Sequence, residues 1–288
     1  MIKKHLVHLC LSAVCASALW GCGGSGDSPD DQSVTSPFNS FDSVSSVTLS
    51  ADGPKAGLSA YDLIENVFAA GSIEAPDMYP TDHTEAVHIV KDSDNMVGPH
   101  FVFLAHKVLD FNKGVESDRQ RNQIKTYDKS PTALKGYQGE TMQFSWKFKI
   151  SNELELSKKF SHFFQLKAKN FSQDNSKGFN ADGTSTSDIY LIKADWSSIT
   201  DEWLNITVQA TFAEEGAFYM QISRMQDNAI LVDINEPVMD MWRGVSSEDF
   251  VRPKWGIYRS LADGDSLRSE EEQVRFADFV VEKGTAAD

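Results

Sequence analysis

A cation, a glycine and a phenol alternate in the segment RPKWGIYRS, which spans residues 252–260. On a β-strand, Lys254, Gly256 and Tyr258 would share one face, while Trp255 and Ile257 would share the other. A strand face that only fills a core would carry apolar residues, so this polar row predicts a functional surface. Glycine in a strand interior often marks the close approach of a ligand. We therefore expect Gly256 to let a flat ring of a ligand lie between Lys254 and Tyr258.

Two further segments carry polar rows of the same kind. The row in DRQRNQIKTY consists of Arg119, Arg121, Gln123, Lys125 and Tyr127. In SHFFQLKA, Gln165 and Lys167 share one face, and Phe164 and Leu166 share the opposite one. Each of these rows by itself is typical of a solvated strand face, so their combination with the Tyr258 row carries the prediction.

The charge distribution supports a binding site for an anion. Residues 119–169 contain 11 Lys and Arg against 4 Asp and Glu, whereas the whole chain carries a formal net charge of −15. A basic region in an acidic protein focuses its field on a local anionic ligand. The acidic total disfavours non-specific nucleic-acid binding, and no nucleic-acid-binding motif is visible.

The elements that must position these rows are β-strands. Strict alternation places the apolar residues of MQFSWKFKI on one face, namely Met142, Phe144, Trp146, Phe148 and Ile150. The segment LNITVQATF alternates in the same way. Shorter runs of this kind and turn-rich stretches follow along the chain, and GLSAYDLIENVFAA is the one plausible helix. The pattern predicts an all-β sandwich or jelly roll of two antiparallel sheets, with a groove suited to a polymer.

The N-terminus carries a targeting signal. Lys3 and Lys4 precede a short apolar run that ends in LWGC at Cys22. This stretch resembles a bacterial lipoprotein signal; an ordinary secretory signal with a coincidental cysteine is the alternative. The resemblance implies a signal peptide over residues 1–21 and a lipid-modified Cys22. With Gly23 next, it also implies attachment to the bacterial outer membrane.

The region after the signal is rich in Ser, Gly, Pro and Asp. Its composition predicts a flexible tether over residues 22–53 and a folded domain over residues 54–288. Cys10 and Cys15 lie inside the signal, so the mature chain would have no free thiol and no disulfide. We expect a monomer held at the membrane by its lipid.

The three polar segments, in this order, resemble the jelly-roll polysaccharide lyases, which include alginate lyases, glucuronan lyase, ulvan lyase and heparin lyase I. RQRNQIK corresponds to the RSELR-type strand of the alginate lyases, QLK to their QIH strand, and KWGIYRS to their YFKAGVYNQ strand. The resemblance spans roughly residues 56–285 and implies a concanavalin A-like jelly roll. Two departures concern the substrate: Lys167 replaces a histidine, as in the Lys–Tyr pair of ulvan lyases, and Asn122–Gln123 replaces an acidic residue.

The resemblance implies cleavage of a uronic-acid polysaccharide by β-elimination. A base removes the proton on C5, charge accumulates on the C6 carboxylate, and an acid protonates the leaving sugar. Donors aimed at that carboxylate stabilise the intermediate, and we assign this role to Arg121 and Gln165. Proton transfer falls to Tyr258 and Lys167, with the assignment of base and acid left open. The predicted substrate-binding residues are Arg119, Lys254, Gln123, Lys125 and His106.

Three alternatives stay open at this point. A glycoside hydrolase would need a pair of carboxylates; Glu153 and Glu155 share one strand face, but no third carboxylate stands at the spacing typical of such enzymes. A non-catalytic glycan-binding lipoprotein would use the same groove, with Trp242 and Trp255 stacking on sugars. The third alternative is a structural surface domain. The lyase requires that Tyr258 and Lys167 lie near Arg121.

Metal ions and cofactors are not expected. The turns Asp92–Asn95 and Asp263–Ser266 are acidic enough for Ca²⁺, but such turns are common without an ion. The histidines outside the N-terminal segment show no spacing typical of metal ligands; they are His83, His88, His100, His106 and His162.

Overall fold

The computed structural model describes residues 41–286 apart from 56, 109, 170–198 and 263. Within these residues the chain forms twelve β-strands and one α-helix. In chain order they are β1 (Phe41–Leu49), α1 (Ala60–Phe68), β2 (Ile73–Glu74), β3 (Ile89–Asp94), β4 (Gly98–Ala105), β5 (Arg119–Lys125), β6 (Thr141–Ile150), β7 (Ser161–Lys169), β8 (Leu204–Thr211), β9 (Gly216–Arg224), β10 (Ile230–Met239), β11 (Phe250–Ser260) and β12 (Glu272–Ala286).

The strands form two antiparallel sheets. The larger sheet has the order β10-β9-β8-β6-β12-β4-β3, and β1 pairs with the C-terminal half of β12 beyond the end of β4. The smaller sheet has the order β2-β5-β11-β7. The predicted two-sheet, all-β architecture is confirmed, and the three polar rows lie on adjacent strands of the smaller sheet.

The core lies between the two sheets and follows from the alternation in the sequence. The five apolar residues predicted to share one face of β6 are all buried. Across from them, the Trp255 ring of β11 lies 6.3 Å from Phe144 and 5.9 Å from Trp146, measured between ring centroids. Burying each such side chain stabilises the fold by about 1.5–3 kcal/mol. Trp255 therefore joins the sheets, as its position opposite Tyr258 predicted.

The predicted helix is confirmed as α1, whose first turn is closed by a capping box between Ser59 and Asp62. Its apolar side, which includes Leu63, Ile64 and Phe68, is buried against the core. Nowhere in the part of the chain described here is a helix long and apolar enough to cross a membrane.

The predicted start of the folded domain was wrong, because β1 lies within the range assigned to the tether. Its residues pair with β12 from Phe41 opposite Ala286 to Leu49 opposite Phe279. Backbone groups make these hydrogen bonds, so a serine-rich strand can form them while most of its side chains stay exposed. Leu49 alone is fully buried. The predicted signal, Cys22 and the first part of the tether lie outside the described residues.

A β-bulge at Gly256 changes the pairing between β11 and β7. Trp255 pairs with Phe164, but Tyr258 pairs with His162, so β11 carries one extra residue. As a result Phe163 and Phe164 both point into the core, where their rings contact Phe148 and Trp255 respectively. His162 is thereby placed on the same face as Tyr258, against the simple alternation of the sequence.

Gly256 is required by the backbone and not by a ligand, which corrects the sequence-based interpretation. Its φ is +132°, a conformation that other residues rarely adopt. A Cβ at this position would lie 2.1 Å from the carbonyl oxygen of Asn122 on β5. The glycine thus permits both the bulge and the close contact with β5.

We predict that Gly256→Ala destabilises the protein by about 3 kcal/mol or more, because backbone strain and a collision with β5 add together. Gly139→Ala is the matched control: Gly139 has a φ of +83°, but its Cβ would meet open space. That variant should lose only about 1–2 kcal/mol. Urea unfolding measures both values, and equal losses would contradict the role assigned to the Asn122 contact.

Candidate active site

The outer face of the smaller sheet brings three chemically distinct side chains into one row. Arg121 of β5 pairs with Tyr258 of β11, which pairs with His162 of β7. The Arg121 guanidinium carbon lies 3.7 Å from the centre of the Tyr258 ring. Arg119 Nη1 donates a hydrogen bond of 2.9 Å to the Tyr258 hydroxyl oxygen. Tyr258 is therefore held between two guanidinium groups on the side of the sheet away from the core.

A chain of hydrogen bonds connects Arg121 to His162. Arg121 Nη1 donates to Gln123 Oε1 (2.7 Å), and Gln123 Nε2 donates to Gln165 Oε1 (3.4 Å). Gln165 Nε2 then contacts His162 Nδ1 at 3.0 Å. Because a guanidinium only donates hydrogen bonds, its contact fixes the orientation of the Gln123 amide and, through it, that of Gln165.

This orientation determines which protons the site presents. His162 Nδ1 accepts from Gln165, so a neutral His162 carries its hydrogen on Nε2. The Tyr258 oxygen accepts a hydrogen bond from Arg119, so the hydroxyl hydrogen of Tyr258 can be donated to another group. The row therefore combines a phenol and an imidazole, two groups able to transfer protons, with fixed positive charge.

A buried carboxylate, Glu74, organises the cations of this face. Glu74 lies on β2, opposite Gln123, and is 1% exposed. It forms ion pairs with Lys254 (2.6 Å), Lys125 (2.6 Å), Arg121 (3.4 Å) and Lys113. Burial raises the pKa of the Glu74 carboxyl, but the four cations outweigh burial and hold that pKa well below its usual value. Glu74 is thus ionised, and the cations around it outnumber it.

Two of the predicted substrate-binding residues, Lys254 and Lys125, form ion pairs with Glu74 instead of facing solvent as free cations. Lys254 is 2% exposed, and burial lowers its pKa while Glu74 opposes that effect. Burial likewise lowers the pKa of Lys125 against the influence of Glu74. By contrast, the side chain of Arg119 is 46% exposed and faces solvent beside Tyr258. Arg119 is the cation of this row that a ligand reaches first.

The expected proximity of Lys167 to Tyr258 was wrong. Lys167 pairs with Arg252, six residues along β11 from Tyr258. At about 3.3 Å per residue, the two rows are roughly 20 Å apart. His162 takes the place beside Tyr258 that was predicted for Lys167, because the bulge shifts the register of β7. Gln165 does lie near the row, between Gln123 and His162.

His106 lies apart from the predicted groove. Its backbone carbonyl accepts a hydrogen bond from the Gln120 side chain, which is buried on the inner side of β5. Its ring contacts His83, His88 and Asp110 instead of the Tyr258 row. The geometry therefore does not favour a contact between His106 and a ligand on the outer face.

Several residues named for the alternative functions are engaged elsewhere. Trp242 and Trp255 are both buried, so neither ring is positioned to stack on a sugar. Glu153 forms an ion pair of 2.9 Å with Arg268. Asp94, in the first acidic turn, accepts hydrogen bonds from the backbone of the β3–β4 turn. The second acidic turn includes Asp263, which lies outside the described residues.

Sequence reasoning missed two members of the site, His162 and Glu74. Glu74 belongs to a strand of only two residues, which leaves no periodicity to detect. His162 was placed on the wrong face because alternation was extended through Phe163. The glycine inside β11 was the available signal, since such a glycine often marks a bulge.

We predict that Glu74→Gln destabilises the protein by about 3–5 kcal/mol near neutral pH, because it leaves Lys254 buried without its partner charge. The depressed pKa of Glu74 implies a contribution to stability that is complete above its ordinary pKa of about 4.5 and is lost as the pH falls through the depressed value. The difference between wild type and variant should therefore shrink in acid.

Urea unfolding at a series of pH values measures this difference. Glu116→Gln is the control, because Glu116 is exposed; its stability should follow that of the wild type at each pH. A Glu74→Gln variant as stable as the wild type at neutral pH would show that the cations do not depend on this carboxylate.

Comparisons with known proteins agree with this fold. No protein-family model matches the chain, and no curated protein sequence gives a significant match. Among solved structures, the PL-14 alginate lyase from Aplysia kurodai aligns with a TM-score of 0.51 and 9% identity, over 83% of this chain and 98% of that one. This likeness shows that the chain shares the jelly-roll fold of that enzyme.

Two further structures align with lower scores. The alginate lyase vAL-1 from Chlorella virus has a TM-score of 0.47 and 9% identity, over 84% of this chain and 100% of that one. The endo-β-1,4-glucuronan lyase from Trichoderma reesei has a TM-score of 0.41 and 12% identity, over 67% and 86%.

Proposed function

We propose that this protein is a polysaccharide lyase that cleaves a uronic-acid polymer by β-elimination at the row formed by Arg121, Tyr258 and His162. The observation that carries the proposal is the convergence of a phenol, an imidazole and two guanidinium groups on one sheet face. The alginate lyase from Aplysia kurodai, which shares the fold, supports the reaction class.

The positive charges of Arg119 and Arg121 are proposed to stabilise the carboxylate of the reacting sugar. Removal of the proton on C5 transfers charge to the C6 carboxylate, and donors held at that position stabilise the intermediate. Arg119 is exposed enough to contact this group directly. Arg121, held by Asn112, Gln123 and Glu74, supplies a fixed charge beneath the phenol. Because these contacts are made by the protein itself, they hold the guanidinium in place and little reorganisation is needed during the reaction.

Proton transfer is assigned to Tyr258. Its hydroxyl first loses its proton to solvent; the phenolate then takes the proton from C5, and the phenol so formed returns that proton to the leaving oxygen. A positioned acid or base contributes roughly 10²–10⁴-fold. His162, with its hydrogen on Nε2, is oriented by the Gln123–Gln165 chain to donate a hydrogen bond to the charge that develops in the reaction. Lys167 and Arg252, roughly 20 Å along the sheet, are assigned to binding of more distant sugars of the polymer.

The competing function is binding of an acidic glycan without cleavage. It would need the same basic face but no proton-transferring group. The two tryptophans that favoured it are buried, while the phenol of Tyr258 is held between charges in a way that simple binding does not require. The lyase is therefore the better explanation of the row.

The test offers glucuronan, alginate, ulvan, heparin and pectate, and follows the ultraviolet absorbance of the unsaturated uronate product. We expect one of these polymers to yield the product with wild-type protein. Tyr258→Phe keeps the ring that packs on Arg121 but removes the proton carrier, so its rate should fall at least about 100-fold while polymer binding persists.

Tyr219→Phe is the control, because Tyr219 lies on β9 in the other sheet; it should cleave at the wild-type rate. Binding of a polymer without unsaturated product from any of the five would favour the glycan-binding alternative. Undiminished cleavage by Tyr258→Phe would place the reaction elsewhere.

We also propose that Cys22 carries the lipid that holds the protein at the outer membrane, since it ends the LWGC motif behind a basic and apolar segment. Cys22→Ser should move the protein from the membrane fraction to the soluble fraction. Cys15→Ser, inside the same signal, should leave the distribution unchanged. Retention of Cys22→Ser in the membrane fraction would contradict lipid attachment.

A further inference from the structure

Three histidines converge on one aspartate behind the proposed active site. The rings of His83, His88 and His106 lie 4.9–5.1 Å apart between centroids, and each pair is inclined at 75–90°. Their nitrogens surround the carboxylate of Asp110, which is fully buried. Each imidazole ring directs a nitrogen toward the same carboxylate. Histidines that bind a metal ion are arranged in this way.

The distances between the potential ligand atoms match a tetrahedral centre. Asp110 Oδ1 lies 2.9 Å from His83 Nδ1 and 2.8 Å from His88 Nε2. His106 Nδ1 lies 3.3 Å from both Asp110 Oδ2 and His88 Nε2. With zinc–nitrogen bonds of 2.0–2.1 Å, neighbouring ligands of a tetrahedral site are about 3.3 Å apart. All four donor atoms lie within 4.8 Å of one another, so small side-chain movements would bring them to this spacing.

Outer carboxylates fix which nitrogens face inward. His88 Nδ1 contacts Asp77 Oδ1 at 3.1 Å, and His106 Nε2 contacts Glu271 Oε2 at 2.9 Å. Tyr61 donates to Asp77 in turn. If the outer nitrogens donate, the inner nitrogens of His88 and His106 turn lone pairs toward each other and toward Asp110. Carboxylates behind metal-bound histidines have this function, and a cation at the centre would resolve the opposed lone pairs.

We propose that His83, His88, His106 and Asp110 bind a first-row divalent transition metal, with Zn²⁺ as the best match. Three imidazole nitrogens and one carboxylate suit Zn²⁺, whereas Ca²⁺ and Mg²⁺ prefer oxygen ligands. His88 and Asp110 are fully buried, but the side chains of His83 and His106 are 15% and 20% exposed. The metal can therefore reach the centre from their side.

The ion would support the active site from the inner side of β5. Gln120 donates to Asp110 Oδ2 and to the carbonyl of His106, and Asn122 donates to the carbonyl of His88. These two residues alternate along β5 with Arg119 and Arg121. The metal would thus fix the back of the strand whose front carries the arginines.

The same cluster holds the loop that leads into β5. Asp82, next to His83, accepts hydrogen bonds from the backbone of Phe111 and Gly114. Asn112, between them, accepts the bond from Arg121 Nε at 2.7 Å. Binding of the metal would therefore order the loop that positions Arg121. The role assigned to the ion is structural, and none of the proposed chemical steps passes through it.

The experiment uses the full chain in detergent, stripped with a chelator and dialysed, and then titrated with ZnCl₂ in a calorimeter. We expect one Zn²⁺ per chain and a rise in the unfolding temperature. His83→Gln and His106→Gln each remove a ligand and should weaken binding at least about 100-fold, while Asp77→Asn should weaken it about 10–100-fold. His100→Gln is the control, since His100 contacts Gly98 and Arg275 outside the cluster.

Cobalt substitution gives a second measurement on the wild type that does not depend on the variants folding. Co²⁺ should produce the intense visible absorption of a tetrahedral site, and Zn²⁺ should abolish it. The proposal is overturned if wild-type protein binds no stoichiometric metal, or if His83→Gln and His106→Gln bind as tightly as His100→Gln. In either case protons, and not a metal, hold the cluster together. Neither measurement depends on polysaccharide cleavage.

Discussion

The bulge at Gly256 is the constraint on which the proposed site depends. Without a Cβ, β11 approaches the Asn122 carbonyl of β5 and takes up one extra residue against β7. Pairing with β5 stays regular on the other side, so Tyr258 keeps its place opposite Arg121. The shift on the β7 side is what turns His162 outward. The bulge therefore determines that His162 lies beside Tyr258. On the opposite side of β7, Phe163 and Phe164 both pack into the core.

Charge then keeps this face in order. An ionised carboxylate as buried as Glu74 is unfavourable unless several cations surround it, and an isolated Lys254 at the same depth would be equally unfavourable. Together they fix β2, β5 and β11 against one another, while Arg121 extends the network to Tyr258 and, through two glutamines, to His162. The result is a preorganised polar surface, in which the groups proposed to act on the substrate are oriented before it binds.

The parts of the structure that follow from local pattern were predictable from the sequence. Alternation identified β6, β8 and the buried side of β11, and the three polar rows do lie on adjacent strands. Failures arose where a distant contact decides the outcome. Most side chains of β1 are exposed, and this strand exists because β12 offers it backbone partners. Glu74 contributes to the site through ion pairs with four cations that are distant from it in sequence. His83, His88 and His106 come together only when two loops fold behind β5, so their spacing gave no signal.

We propose that elimination takes place at the row of Arg121, Tyr258 and His162 and not at Lys167. Kinetics of His162→Ala and Lys167→Ala on the polymer that the wild type cleaves test this most directly, with unfolding temperatures measured to establish that both variants fold. We expect His162→Ala to lower kcat at least about 100-fold, because it removes a donor aimed at the developing charge, whereas Lys167→Ala should keep kcat and raise KM. A large loss of kcat in Lys167→Ala with near-normal turnover by His162→Ala would contradict it.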